Sequence, residues 1–142
     1  MQPFVHLHVH SQYSLLDGQA SISRLVDKAM QDGMPGIALT DHGAMFGIKD
    51  FANYVGKAKS KVKGELKKLN SELEKSPNNH NLKQQIEIKT KQLDFKPIIG
   101  CECYMARRGR LSQSEKIDGS GWHLVVLAKN LTGYKNLIKM VS

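Results

Sequence analysis

Three histidines alternate with apolar residues near the start of the chain, in the run His6-Leu-His8-Val-His10. Alternate residues of a strand lie on one face, roughly 6 to 7 Å apart, so their imidazoles can converge on one ion or on neighbouring ions. A single histidine in a strand is more often held by a backbone carbonyl than by a metal. Three histidines on one face of a strand favour a metal site.

Further ligand-capable side chains follow at the ends of later apolar segments. Asp41-His42 ends one predicted strand, and His123 opens another. Glu102 stands alone in an apolar strand, where a buried and unpaired carboxylate would cost several kcal/mol that metal coordination could offset. Mixed imidazole and carboxylate ligands suit a multinuclear Zn, Mn or Fe centre and hydrolysis of a phosphoester. The candidate ligands are His8, His10, Asp17, His42, Glu102 and His123.

Several other function classes lack a motif in this sequence. No Walker loop, Gly-x-Gly-x-x-Gly or Gly-x-Ser-x-Gly run occurs, so nucleotide-loop and serine-hydrolase functions have no support. Cys101 and Cys103, the two cysteines, fit neither a disulfide scaffold nor a Cys-x-x-Cys metal knuckle. Without a signal peptide or an apolar run near 20 residues, we expect a cytoplasmic protein with no membrane contact.

The net charge of +8 is concentrated in one segment of the 142-residue chain. Residues 57–96 contain eleven lysines and five acidic residues, so they carry +6 and leave +2 for the rest. Such lysines are more often a solvated helix face than a surface that grips DNA. The length allows one ordinary domain at most.

Hydrophobic periodicity predicts an α/β fold. Residues 4–10 alternate as a strand, 21–30 follow helical spacing with Gly33 as a stop, 36–40 form a second strand and 48–55 a second helix. This rhythm is typical of a parallel sheet or barrel.

A lysine-rich segment, residues 57–95, interrupts that rhythm. Its two helical stripes flank a turn cluster at 76–79, which predicts an inserted antiparallel helical hairpin that packs mainly on itself. Strands at 98–104 and 123–128 and a helix at 134–141 follow, the last strand with the composition of one buried on both faces. Four strands make about half of a closed barrel, so we expect residues 1–142 to be the N-terminal part of a larger domain.

Six motifs in this order resemble the PHP (polymerase and histidinol phosphatase) superfamily. More narrowly, they resemble the PHP domain that begins the alpha subunits of bacterial DNA polymerase III, over the whole chain except about residues 57–94. The motifs are His6-Leu-His-Val-His-Ser11, Tyr13-Ser-Leu-Leu-Asp-Gly18, Leu39-Thr-Asp-His-Gly43 with Phe46-Gly47, Lys96-Pro-Ile-Ile-Gly100, Leu127-Ala-Lys-Asn130 and Thr132-Gly-Tyr-Lys-Asn-Leu137.

The resemblance implies a distorted barrel of seven strand-helix units with up to three divalent ions at the strand ends. It assigns the six candidate ligands to those ions, gives Asp41 a supporting role, and leaves His6 beside the ligand set at a position often acidic in stand-alone PHP enzymes. The implied activity is metal-dependent 3′-5′ exonuclease proofreading within a DNA-directed DNA polymerase. The polymerising residues and their Mg would lie outside this chain, and the implied partners are DNA, deoxynucleotides, a sliding clamp and a proofreading exonuclease.

Two other functions remain open from the sequence. One is a stand-alone PHP phosphoesterase such as a histidinol-phosphate phosphatase, against which the runs Ser14-Leu-Leu-Asp-Gly18 and Thr132-Gly-Tyr-Lys-Asn-Leu137 speak. The other is a docking module of the polymerase with no catalytic role. Metal content and a nuclease assay would separate the docking module from the exonuclease.

Overall fold

The computed structural model describes residues 4–112, 114 and 121–142. Helices and the strands of a small sheet are interspersed along this part of the chain, as in an α/β fold. The elements are α1 (Ile22–Gln31), β1 (Gly36–Leu39), α2 (Ile48–Lys75), α3 (His80–Leu93), β2 (Lys96–Met105), β3 (Trp122–Leu127) and α4 (Leu131–Val141).

The three strands form one mixed sheet in the order β1-β2-β3. β1 runs parallel to β2, with Ala38 opposite Ile98. β3 runs antiparallel to β2, with Tyr104 opposite His123. The prediction of a parallel sheet is therefore wrong for the last strand. Parallel pairing needs a long crossover, usually a helix, and the described residues between β2 and β3 form no helix.

The predicted first strand is a bent segment that runs alongside β1. Ala38 N donates to His6 O at 2.9 Å, and Thr40 N donates to Val9 O at 2.9 Å. The two donors on β1 are two residues apart, whereas the two acceptors on the first segment are three residues apart, so the first segment contains one extra residue. The segment bends at residues 7–8. This bend breaks the alternation of faces that the sequence predicted for the three histidines.

Helix α1 begins and ends as its sequence predicts. The Ser21 hydroxyl accepts from Arg24 N at 3.4 Å, and Gly33 follows the helix with φ +72°, a conformation that glycine adopts without strain. Its buried face meets the sheet and α2 in one hydrophobic core. The central core residues are Val26, Met30, Leu39, Phe51, Val55 and Phe95.

The predicted hairpin is formed by α3 and the outer part of α2. The turn falls at residues 76–79 as predicted, and the Asn79 side chain caps α3 by accepting from Leu82 N at 3.2 Å. Helix α2 continues without a break through residue 57, and its Val62 and Leu66 are buried in the main core. The base of the hairpin therefore packs on the rest of the domain as well as on itself. None of the described helices, α2 included, is long and apolar enough to cross a membrane.

Strand β3 lies at the edge of the sheet and is more exposed than its sequence predicted. Leu124 is 49% exposed, and neither face of the strand is fully covered by described residues. The prediction of burial on both faces is wrong for this chain because β2 is the only strand paired with β3 in the described sheet.

Candidate metal centre

The histidine segment is fixed by hydrogen bonds to the end of β1. Val9 N donates to the Thr40 hydroxyl at 2.8 Å, and that hydroxyl donates to Val9 O at 3.1 Å. Ser11 N donates to the Asp41 carboxylate at 2.6 Å. These bonds hold the backbone on both sides of His10, so its ring has a defined direction.

A tight loop then returns the chain so that Asp17 reaches the same place. Ser14 O accepts from Gly18 N at 2.9 Å, and the Ser14 hydroxyl accepts from His42 N at 3.0 Å. A Cβ at Gly18 would lie 2.0 Å from Ser11 O, so only glycine permits this close approach. The loop thus ties Asp17 to His42, three residues after the end of β1.

Strand β2 brings Glu102 against the end of β1. Glu102 N donates to Asp41 O at 3.1 Å, and Gly43 N donates to Glu102 O at 2.8 Å. His42 and Glu102 form an isolated parallel bridge. These backbone bonds extend the pairing of β1 with β2 beyond the strand itself and place the Glu102 carboxylate at the bottom of the site, where the residue is 1% exposed.

Four histidine rings surround this buried carboxylate. Glu102 Oε2 accepts from His8 Nε2 in a short hydrogen bond and from His10 Nε2 at 2.9 Å. Oε1 lies 2.8 Å from His123 Nδ1 and 3.8 Å from His42 Nδ1. Although His123 is close, Oε1 is buried without a hydrogen bond of acceptable geometry from any described residue. An anionic oxygen in that condition fits a site for a cation.

Asp17 supplies a second carboxylate on the solvent side of the site. Its Oδ2 accepts from His42 Nδ1 at 2.8 Å, and its Oδ1 lies 3.3 Å from His10 Nδ1. The hydrogen bond from His42 holds the pKa of Asp17 below its ordinary value, which outweighs partial desolvation. The His10 ring therefore lies between two carboxylates, with Asp17 near one nitrogen and Glu102 near the other.

The pKa of Glu102 is also lowered. Burial is the largest single effect and opposes ionisation, but the hydrogen bonds from His8 and His10 and the positive charge available to His123 together outweigh it. The carboxylate is therefore ionised at neutral pH, as a metal ligand must be.

The six predicted ligands form three overlapping groups whose ligand atoms lie within 4.8 Å of one another. His10, His42 and Glu102 each belong to two groups. Each group could hold a metal ion. The groups are His8, His10 and Glu102; His10, Asp17 and His42; and His42, Glu102 and His123.

Asp41 supports the site through the loop instead of through a histidine ring. Its carboxylate accepts from Ser11 N, from the Ser11 hydroxyl at 3.0 Å and from the Ser14 hydroxyl at 2.9 Å. None of its described hydrogen bonds goes to an imidazole. Its described hydrogen bonds therefore fix the segment that contains His10 and the loop that contains Asp17.

His6 lies apart from the ligand groups, contrary to its predicted place beside them. Its ring packs edge-on against Phe4 at 4.7 Å between centroids and lines a cavity of about 660 Å³ beside α1, together with Arg24 and Ile37. The bend at residues 7–8 is the cause, because the extra residue puts His6 out of phase with the histidines that follow.

Tyr104 is a site residue that sequence reasoning missed. Its hydroxyl makes a short hydrogen bond with His42 Nε2, and its ring lies 5.1 Å from the His42 ring and 4.7 Å from the His123 ring. The spacing of two residues between Glu102 and Tyr104 could have identified it, because alternate residues of a strand lie on one face. Cys101, which is adjacent to Glu102, lies on the opposite face of β2, and burial raises the pKa of its thiol to about 12.

Comparison with known proteins agrees with the motifs found in the sequence. The PHP domain family matches residues 6–142. The DNA polymerase III alpha subunits of Treponema pallidum and Borreliella burgdorferi are 41% and 39% identical to this chain, each over 98% of it and 9% of the relative. That of Mycobacterium tuberculosis is 32% identical over 98% of the chain and 10% of the relative. The chain thus spans about a tenth of the length of these relatives. It belongs to the PHP domain family.

Proposed function

We propose that this chain is the N-terminal PHP portion of a bacterial DNA polymerase III alpha subunit and that its site hydrolyses phosphodiesters with divalent ions. The observation that carries the proposal is the Glu102 carboxylate, which is buried among four histidine rings with one oxygen lacking a good hydrogen bond. A buried anion in such a setting is stabilised by a cation, and imidazoles with carboxylates suit Zn, Mn or Fe.

The shared residues suggest how the ions would be arranged. Glu102 offers one oxygen to His8 and His10 and the other to the His42 and His123 side, so it is suited to bridge neighbouring ions. His8, His10, Asp17, His42 and His123 would complete the positions, up to three in the whole domain. When bound, such ions activate water and neutralise the charge on a phosphate oxyanion.

The exposed side of the site would give a phosphodiester access to the proposed ions. The Asp17 side chain is 42% exposed and that of His123 is 56% exposed, whereas Glu102 closes the bottom. A phosphate group of a DNA end could therefore approach from the Asp17 and His123 side without opening the core. Removal of nucleotides from a 3′ end, as in proofreading, is the form of hydrolysis we propose.

We further propose that the chain is the first part of a distorted seven-stranded barrel, with residues 57–95 as a lysine-rich insertion. The parallel pairing of β1 with β2 supports a barrel, and the much greater length of the relatives supports a larger whole protein. Under this proposal, the Mg-dependent polymerising residues lie in a part of the whole protein outside this chain. DNA and deoxynucleotides are then substrates of the whole protein, and a sliding clamp and a proofreading exonuclease are partners.

The test uses the product of the complete open reading frame and single-stranded DNA labelled at its 3′ end. We expect 3′-5′ degradation in the presence of Zn²⁺ or Mn²⁺, and a loss of at least about 100-fold in Glu102→Gln and in the double variant His8→Ala/His10→Ala. Primer extension by the same preparations is the control, because the polymerising residues are separate and its rate should change far less.

Two outcomes would contradict this function. Hydrolysis of histidinol phosphate in preference to DNA would assign the site to a stand-alone phosphoesterase. Full metal content with no hydrolysis of either substrate, and primer extension intact, would indicate a docking module.

A further inference from the structure

We infer that Tyr104 is a positioning residue for His42: its hydroxyl orients the ring so that Nδ1 faces the other candidate ligands, and it accepts the Nε2 hydrogen when Nδ1 binds an ion. This inference rests on the proposed metal-dependent function. It goes beyond the ligand set because Tyr104 is not a ligand and acts only through His42.

The two nitrogens of His42 have different surroundings. Nδ1 lies 2.8 Å from Asp17 Oδ2 and 3.8 Å from Glu102 Oε1, so it is the nitrogen directed at the other candidate ligands. Nε2 is directed away from them and is hydrogen-bonded to the Tyr104 hydroxyl. Only Nδ1 can therefore share an ion with those two carboxylates.

The requirement for a tautomer follows from the chemistry of imidazole. A neutral ring has one nitrogen that donates and one that accepts, and a metal binds the accepting nitrogen. If Nδ1 of His42 binds an ion, its hydrogen must be on Nε2, where the Tyr104 hydroxyl can accept it. A hydroxyl can also donate, so Tyr104 can pair with Nε2 before an ion arrives, while Nδ1 donates to Asp17.

The sheet holds Tyr104 in place for this role. Tyr104 is paired with His123 across the β2–β3 ladder, and its ring packs against both His42 and His123. Glu102 lies two residues earlier on the same face of β2. One strand thus supplies both a ligand and the residue that orients a ligand on the neighbouring segment, so the two keep a fixed spacing.

The test compares Tyr104→Phe with wild-type protein in a Zn²⁺ titration against a competing chelator. Phenylalanine keeps the ring contacts and removes only the hydroxyl. We expect about tenfold weaker Zn²⁺ binding, at the lower end of the effect of residues that orient metal ligands. Tyr54→Phe is the matched control, because the Tyr54 hydroxyl donates to Asp27 at 2.9 Å outside the site, and its Zn²⁺ affinity should equal that of wild type.

A second readout records the tautomer itself. Nitrogen-15 NMR of the histidine rings in the Zn²⁺-loaded protein should show Nδ1 of His42 bound to metal and hydrogen on Nε2, with the Nε2 hydrogen exchanging faster in Tyr104→Phe. Equal affinity and equal exchange in wild type and Tyr104→Phe would overturn the inference alone. Absence of Zn²⁺ binding by the wild type would instead overturn the proposed function and the inference with it.

Discussion

The Asp41 carboxylate holds Ser11 by two hydrogen bonds, one from the backbone nitrogen at 2.6 Å and one from the hydroxyl at 3.0 Å. Both residues are almost completely buried. Ser11 directly follows His10, and Asp41 directly precedes His42, so this pair sets the distance between two candidate ligands from different segments. A carboxylate with no described hydrogen bond to a histidine ring therefore helps to set the geometry of the site.

Replacing Asp41 with alanine should destabilise the metal-free protein. Three buried donors of Ser11 and Ser14 would lose their acceptor, and an unsatisfied buried donor costs about 1–3 kcal/mol, so we expect a loss of about 3 kcal/mol or more. Urea denaturation in the presence of a chelator measures this loss. Asp41→Asn is the control, because it keeps one acceptor oxygen and should lose less than half as much. Equal stability of Asp41→Ala and wild type would refute the role given to Asp41.

Two deletions should have different effects on stability, because the outer part of the hairpin is exposed and its base packs in the core. Replacing residues 69–85 with a Gly-Ser linker of about four residues, enough to join helices roughly 8–10 Å apart, should change the melting temperature little because no residue in that range is buried. Replacing residues 60–92 also removes Val62 and Leu66 from the core and should cost at least about 3 kcal/mol. Thermal melts that are equal for the two deletions would contradict this division of the hairpin.

The ion pair between Lys89 and Glu65, 2.6 Å apart, should make a small pH-dependent contribution to stability. The hydrogen bond from Lys89 lowers the pKa of Glu65 in the folded protein. A lowered pKa stabilises the fold above the unfolded value of 4.5, and that contribution is lost as the pH falls through the lower folded value. Because both side chains are about one-third exposed, we expect no more than about 0.5 kcal/mol.

A double-mutant cycle with Glu65→Gln and Lys89→Met measures that contribution. The coupling at pH 7 should disappear at pH 2, and the solvent-exposed pair Glu87 and Lys91 serves as a comparison with weaker coupling. A coupling that persists in acid would show that packing of the Lys89 side chain, not its charge, is responsible.

Local patterns in the sequence predicted most of the elements and named the six candidate ligands that the structure brings together. The lone Glu102 in an apolar strand predicted a site because a buried carboxylate requires a partner. The histidines at residues 6–10 predicted a metal site because they lie close together in the sequence. Ser21 and Gly33 marked the ends of α1 because caps act within a few residues of their helix. Such signals depend on neighbours along the chain.

The features that the sequence did not predict depend on contacts between distant segments. The bend at residues 7–8 follows from the register of that segment with β1, which no local pattern records. The antiparallel direction of β3 depends on its pairing with β2, and the polar sequence between the two strands is compatible with either direction. Tyr104 was missed for the same reason, since its role depends on contact with His42, which is 62 residues away.

The metal content of the purified protein shows whether the buried Glu102 carboxylate and the histidines around it bind an ion. Elemental analysis after dialysis should find at least one equivalent of Zn, Mn or Fe in the wild type and a large decrease in Glu102→Gln, which keeps the shape of the side chain but removes its charge. Urea denaturation in chelator should show that the metal-free variant is still folded. Equal metal stoichiometry in the wild type and Glu102→Gln, or no bound metal in either, would show that Glu102 is not a metal ligand.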